Sequence, residues 1–189
     1  MKRIPSPTRL LIGAIVTAAA AAGPVAHVVN AGPAGPDVPD TIAVEDGHKV
    51  FLVGHATGVQ IYRCDAIAGS YAWTFVAPRA DLRDDSGRLV ATHFAGPTWQ
   101  AKDGSRVVAK RAADPVIVDD TAIPWLLLKQ DSVAAGSDGE RLTATTFIQR
   151  TKTTGGLAPE PSTCGTSNVG TAQEVQYTAD YHFWKKIEG

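Results

Sequence analysis

Residues 174–186, EVQYTADYHFWKK, contain the clearest structural signal in the chain. Apolar and aromatic side chains recur there at every second position, at Val175, Tyr177, Ala179, Tyr181 and Phe183. A period of two places these side chains on one face of a β-strand, whereas a helix needs a period near 3.6. The stretch therefore predicts a strand with one face packed against a core.

Working outward from this strand, short apolar runs separated by turn residues continue back to residue 48. No apolar stripe with helical spacing lasts for three turns, and only residues 123–130, IPWLLLKQ, are ambiguous between helix and strand. About eight runs at intervals of roughly 10–15 residues are typical of an antiparallel all-β domain. We predict a single β-sandwich or barrel-like domain over residues 48–189, with both architectures left open.

Three local features predict where strands end. Residues 55–58, HATG, separate the runs KVFLVG and VQIYRC, which indicates a hairpin. Pro78 predicts the end of a strand, because proline has no N–H to donate to a ladder. Asp103-Gly104 is a strong hairpin-turn signal between two further strands.

The first 31 residues predict a secretory signal peptide. Lys2, Arg3 and Arg9 form a positive head, and an apolar, alanine-rich run follows. That run is shorter than the about 20 residues that span a bilayer, so a retained anchor is the weaker alternative. We expect an extracellular or periplasmic protein with no integral membrane segment after cleavage.

Cleavage of this peptide would follow a small residue, at Ala22, Ala26 or Ala31. Residues 32–47 are rich in Pro and Gly and predict an extended lead-in. Loss of residues 1–31 would leave 15 basic against 19 acidic residues, a net charge of −4. Nucleic acid is therefore an unexpected partner, because phosphate binding depends on clustered Lys and Arg.

The chain has two cysteines, Cys64 and Cys164, and export would place them in an oxidising compartment. An even count in an exported chain favours one disulfide over two free thiols. A redox or metal-binding pair is the alternative, but there is no Cys-x-x-Cys and no histidine at ligand spacing. We predict a structural disulfide.

Residues 93–105, HFAGPTWQAKDGS, supply the candidate ligand-binding residues, His93, Trp99 and Asp103. Ser105 lacks the glycines of a nucleophile elbow, so no catalytic residue is assigned. No histidine pair has the spacing of a metal motif, and no glycine-rich nucleotide loop is present, so neither a metal nor a cofactor is expected.

Three functions fit these observations. The leading one is an exported, non-enzymatic binding or interaction domain whose ligand is a small molecule, a glycan or a cell-envelope component. The second is an exported hydrolase or metal-dependent enzyme that uses His93 and His182, with Asp103 or Asp180 beside them; it requires the two histidines to lie on neighbouring strands. The third is a structural or stress-related envelope protein, which would need no deep pocket. The oligomeric state is left open.

Seven motifs, taken in order, resemble an uncharacterised family. They are GVQIYRC (58–64), YAWTFVAPRADL (71–82), HFAGPTWQAKDGS (93–105), IPWLLL (123–128), TTGGLAP (153–159), Cys164 and YTADYHFW (177–184). The set is similar to the secreted bacterial and fungal proteins grouped as domain of unknown function 3455. The resemblance covers residues 48–184 and implies a secreted, β-rich domain with both cysteines in its framework. It assigns no catalytic residues.

Overall fold

The computed structural model describes Met1 and residues 32–188, so the predicted signal peptide and its cleavage sites lie outside the described residues, apart from Met1. The strands are β1 (His48–Ile67), β2 (Ser70–Arg83), β3 (Leu89–Phe94), β4 (Thr98–Ala101), β5 (Arg106–Arg111), β6 (Leu126–Ala134), β7 (Phe147–Gly155) and β8 (Ala172–Lys186). Two short 3-10 turns, Asp40–Ile42 and Pro161–Thr163, complete the regular structure of the described part. No helix in that part is long and apolar enough to cross a membrane.

The eight strands form one closed barrel in sequence order. Each strand pairs antiparallel with the next, and β8 returns to pair with β1 from His48↔Lys186 to Arg63↔Ala172. Closure removes the free edges that an open sheet would expose. The prediction of an antiparallel all-β domain with about eight strands is confirmed, and the architecture is the barrel rather than the sandwich.

The alternation predicted for residues 174–186 is confirmed in β8. Tyr177, Ala179, Tyr181 and Phe183 are all buried in the barrel interior. The alternate residues face outward, and Trp184 packs against a second, smaller apolar cluster on the outside of the wall. The period of two in the sequence thus reflects the alternation of side chains between the inner and outer faces of the barrel wall.

The hairpin predicted at residues 55–58 is wrong, because β1 runs through this stretch without a turn. Gly58 lies there because the backbone of β2 at Arg79 and Ala80 comes too close for any side chain. Pro78 does not end β2 either. It pairs with Gln60 of β1, while the pairing of β2 with β3 begins only at Ala80, so the missing N–H interrupts no second ladder.

Residues 32–47, predicted as an extended lead-in, pack on the outside of the barrel. Ile42 is fully buried beside Leu127 and Phe147. The side chain of Gln149 on β7 donates from Nε2 to the Ile42 carbonyl (2.7 Å) and accepts from Trp184 Nε1 (2.8 Å). This covering explains why polar Gln149 is buried although it faces away from the interior.

The interior of the barrel differs at its two ends. At the packed end, where β1 begins and β8 ends, apolar side chains fill the space, among them Leu52, Leu82, Val107 and Phe183. At the open end, where β1 ends and β8 begins, the interior contains a cavity.

A disulfide joins Cys64 to Cys164, with their Cα atoms 5.4 Å apart, which confirms the predicted bridge. It lies at the open end and connects the last part of β1 to the loop between β7 and β8. There β1 and β2 extend beyond β3 as a hairpin, residues 61–77, in which β1 remains paired with β8 as far as Arg63; we call this hairpin the β1–β2 arm. Trp73 of the arm donates from Nε1 to Thr163 Oγ1 of the same loop (3.0 Å). The bridge therefore ties the arm to the rest of the open end.

Candidate functional site

The cavity at the open end has a volume of about 580 Å³. Every one of the eight strands supplies at least one lining residue, so the cavity is the lumen of the barrel rather than a groove on its surface. Phe75 of the β1–β2 arm stands at its mouth with half of its surface exposed. All eight strands line the lumen because side chains alternate along each strand, so that every second side chain points inward.

Aromatic rings form one wall of the cavity. His93 on β3 and Trp99 on β4 are cross-strand partners, and their rings stack with centroids 4.1 Å apart and planes 6° from parallel. Tyr181 on β8 meets both rings edge-on, at 5.2 Å from His93 and 5.4 Å from Trp99. Stacked and edge-to-face contacts of this kind hold each ring in a defined orientation. The wall is therefore preformed.

The protonation state of His93 follows from its surroundings. Its Nδ1 donates to the carbonyl of Thr98 (2.9 Å), which leaves Nε2 as the acceptor of the ring. Complete burial lowers the pKa of His93 to about 3. The imidazole is thus neutral at physiological pH and is too weak a base for efficient proton abstraction there.

Two buried N–H donors of the cavity residues have no partner among the described residues. They are Nε2 of Gln60, on β1, and Nε1 of Trp99. Both side chains are nearly inaccessible, at 3% and 1% exposure. Buried donors are nearly always hydrogen-bonded in native proteins, so each orphan calls for an explanation. A ligand in the lumen could accept from either nitrogen only after the side chain turned, because neither nitrogen exposes surface there.

The charged side chains around the cavity are all basic. Lys110, Arg111 and Arg150 contribute to its lining, and none of the lining residues in the described part of the chain is acidic. Arg150 on β7 donates from Nε and Nη2 to the carbonyl of Pro124, at 3.1 and 2.8 Å. A neutral carbonyl orients the guanidinium without neutralising it. The lumen therefore carries a positive charge in a chain whose overall charge is −1.

Two of the three predicted ligand-binding residues, His93 and Trp99, lie together in the cavity wall. The third, Asp103, is not among the lining residues. It lies in the turn between β4 and β5, where Oδ1 accepts from Ser105 N (2.9 Å) and Oγ (2.6 Å), and Oδ2 accepts from Arg141 N (2.9 Å). These bonds, from the Ser105 hydroxyl foremost, lower the pKa of Asp103. The geometry makes Asp103 a turn-organising residue.

The second hypothesis required His93 and His182 to converge, and the barrel separates them. His182 lies between Tyr181 and Phe183, which both point into the lumen, so strand alternation turns His182 to the outside. Asp180 shares this outer face and binds His55 Nδ1 (2.6 Å) and Lys152 Nζ (3.1 Å). No three His, Cys, Asp or Glu side chains within residues 32–188 are grouped to hold a metal.

Gln60 and Arg150 line the cavity, but sequence reasoning did not single them out. On β7 the residues Phe147, Ile148 and Gln149 are all buried, because the outer face is covered too. Because both faces of β7 are covered, its sequence does not alternate between apolar and polar residues. The direction of the Arg150 side chain therefore could not be predicted from this pattern. A cue existed in the register: Arg150 pairs with Tyr181, whose inward direction the sequence does predict.

Comparison with known proteins gives one match. No curated protein and no solved structure matches the chain. A family model described as Protein of unknown function (DUF3455) matches residues 45–185, which is most of the chain and includes all eight strands in whole or nearly so. The chain therefore belongs to the DUF3455 family of proteins of unknown function.

Proposed function

We propose that this protein is an exported binding protein that holds a small, largely apolar molecule in the lumen at its open end. The observation that carries the proposal is the cavity of about 580 Å³. Ligand pockets typically measure about 300–1,000 Å³ and are lined mainly by apolar and aromatic side chains with a few polar groups. An eight-stranded barrel has room for interior side chains or for one small ligand. Here side chains fill one end and a cavity occupies the other.

The composition of the wall favours an apolar ligand over a glycan. Ala109, Ile123, Leu126 and Leu128 also line the cavity. A glycan would need many polar partners, whereas an apolar body gains from removal of its surface from water. A purely structural envelope protein would have no use for a lumen of this kind.

Binding is favoured over catalysis by the state of the polar groups. His93 is neutral and committed through Nδ1 to the Thr98 carbonyl. The Ser105 hydroxyl donates to Asp103 and accepts from Leu142 N (3.1 Å), outside the cavity lining. Neither arrangement resembles a nucleophile paired with its base.

Export is supported by the predicted signal peptide together with the disulfide. Bridges such as Cys64–Cys164 persist in oxidising compartments and are rare in the cytosol of mesophiles. Mass spectrometry of the protein from culture supernatant or periplasm tests this part of the proposal. The expected product begins after Ala22, Ala26 or Ala31, and an intact chain retained in the cytosol would contradict export.

The cavity itself is tested with N-phenyl-1-naphthylamine, a neutral fluorescent probe. Ala109 faces the lumen on β5, so Ala109→Phe would place a ring inside the cavity. Val108, its neighbour, faces outward, so Val108→Phe is the matched control. We expect the probe to bind the wild type and the control, and to lose about tenfold or more in affinity in Ala109→Phe, as for the loss of roughly 1.4 kcal/mol. Equal binding to all three proteins would place the probe elsewhere and contradict the proposal.

A further inference from the structure

Among the basic residues that line the cavity in the described part of the chain, Arg150 is held in place by hydrogen bonds to the carbonyl of Pro124. It is half-buried, and its cross-strand partner is the fully buried Tyr181. A guanidinium has five N–H donors, and the carbonyl of Pro124 occupies two of them. Burial raises the pKa of Tyr181, and the charge of Arg150 and a hydrogen bond from its guanidinium oppose that rise, so the charge acts inside the aromatic wall. Donors and charge are therefore both available to a ligand.

The surroundings leave the charge of Arg150 uncompensated. Within the described part of the chain, Arg150 has no carboxylate at salt-bridge distance, whereas Lys110 binds Asp131 (2.7 Å). A charge removed from water is costly unless it is paired, and Arg has the geometry that matches a carboxylate through two parallel bonds. The protein supplies the cation and its orientation, and the anion is left for the ligand.

The unpartnered donors are compatible with the same chemistry. Gln60 Nε2 and Trp99 Nε1 are buried N–H groups of cavity-lining residues, without acceptors among the described residues. The terminal amide of Gln60 can turn about its last torsion to present its donors to the lumen. An ionised carboxylate accepts hydrogen bonds and donates none, so it complements a site whose free groups are donors.

We propose that the ligand is an amphipathic oxyanion, most simply a carboxylic acid, whose charged group binds the guanidinium of Arg150 while its apolar body lies against the aromatic wall. This inference rests on the proposed binding function and specifies the class of ligand. The polar end of the ligand enters the lumen, and its apolar body extends toward Phe75 at the mouth.

The test uses two probes that differ in one charged group. N-phenyl-1-naphthylamine is neutral, and 8-anilinonaphthalene-1-sulfonate adds a sulfonate to the same rings. Affinities are measured by fluorescence titration for the wild type, Arg150→Gln and Arg106→Gln. Arg106 is exposed on β5 outside the cavity lining, so its variant is a control with the same change of net charge. Thermal melts verify that each variant is folded.

We expect Arg150→Gln to weaken binding of the sulfonate about tenfold to a hundredfold, the range for lost hydrogen bonds to a charged group. The neutral probe should change by less than about twofold, and Arg106→Gln should alter neither affinity. Arg150→Lys, which keeps the charge but loses the planar fork, should fall between wild type and Arg150→Gln. If Arg150→Gln weakens both probes equally, its role is structural and the inference is overturned.

A competition assay extends the test to carboxylates. Laurate and 1-dodecanol have the same chain and differ in the polar head, and each is used to displace the neutral probe. Laurate should compete better than dodecanol in the wild type and lose that advantage in Arg150→Gln. Equal competition by both in the wild type would overturn the anion inference while the cavity proposal stands. Failure of every probe to bind would overturn both.

Discussion

The packed end and the open end of this barrel have the same strands but opposite interiors. At the packed end, Leu142 from the loop between β6 and β7 is completely buried together with Leu52 and Leu82. At the open end the loops leave the lumen accessible, and the wall is aromatic and basic. Strand number sets the width of a barrel, and the side chains then decide whether that width is filled. One end thus serves stability, and the other is free to bind.

The turn at Asp103 explains how the packed end is sealed. Asp103 Oδ2 accepts from Arg141 N, and Ser105 Oγ accepts from Leu142 N. The backbone of Gly136, in the same loop, lies so close to Asp103 and Gly104 that no side chain would fit there. Asp103, which the sequence analysis named as a candidate binding residue, therefore helps to fasten the loop that fills the opposite end.

The largest expected effect on stability comes from removal of the disulfide. The bridge stabilises the open end, which lacks the apolar side chains that fill the packed end. Replacement of both Cys64 and Cys164 by Ala should lower the free energy of unfolding by roughly 4–5 kcal/mol, because the unfolded chain regains the freedom of a loop of about 100 residues. Urea unfolding of the variant and of oxidised wild type measures this. A loss below about 1 kcal/mol would show that the open end does not depend on the bridge.

The next prediction compares one leucine at each end. Leu82→Ala, in the packed end, should cost roughly 3–5 kcal/mol, since it removes buried surface and leaves a void. Leu128→Ala should cost only about 1–3 kcal/mol, because Leu128 already borders the cavity and its removal enlarges a space that water or a ligand can enter. Chemical denaturation gives both values. Equal costs would contradict the division of the interior into two ends.

A smaller effect is expected from Asp103→Ala. The substitution removes acceptors for Ser105 and Arg141 and should destabilise the protein by about 1–3 kcal/mol. Affinity for the neutral probe should stay within about twofold of wild type, because Asp103 does not line the cavity. A strong loss of probe binding in a folded Asp103→Ala protein would show that Asp103 contributes to the binding site.

A further prediction concerns the pH dependence of stability. His93 has a folded-state pKa of about 3, below its ordinary value of 6.5, so between these values the unfolded chain binds a proton that the folded chain does not. Stability therefore falls as the pH drops from 6.5 toward 3, and His93→Phe should reduce this fall. Urea unfolding at pH 7 and pH 4.5 measures the difference between the two proteins.

His55 provides a control of opposite sign. Hydrogen bonds from the His55 ring to the carboxylates of Asp180, first, and Asp85 raise the pKa of His55. The stabilisation of the folded protein by protonated His55 is fully present below pH 6.5, and it is lost as the pH rises through the raised folded-state pKa. His55→Gln should therefore cost more stability at pH 5.5 than at pH 9. Parallel pH curves for the two histidine variants would refute both assignments.

Much of the fold could be read from particular residues. The alternation in residues 174–186 identified β8 and its buried face, and the even number of cysteines indicated the bridge. Of the three candidate binding residues, His93 and Trp99 lie in the cavity wall and Asp103 does not. The strand ends predicted at Pro78 and at residues 55–58 were wrong, because the effect of these residues depends on which neighbouring strand is paired at that point.

By itself, the sequence determined an antiparallel all-β chain with about eight strands and one disulfide, because alternation and cysteine count are local properties. Only the tertiary structure decided that β8 closes on β1, that Arg150 enters the lumen beside His93 and Trp99, and that His182 lies outside it. The physical reason is that register and closure join residues far apart in the chain. The same strand pattern serves a sandwich or a barrel until these distant pairings are made.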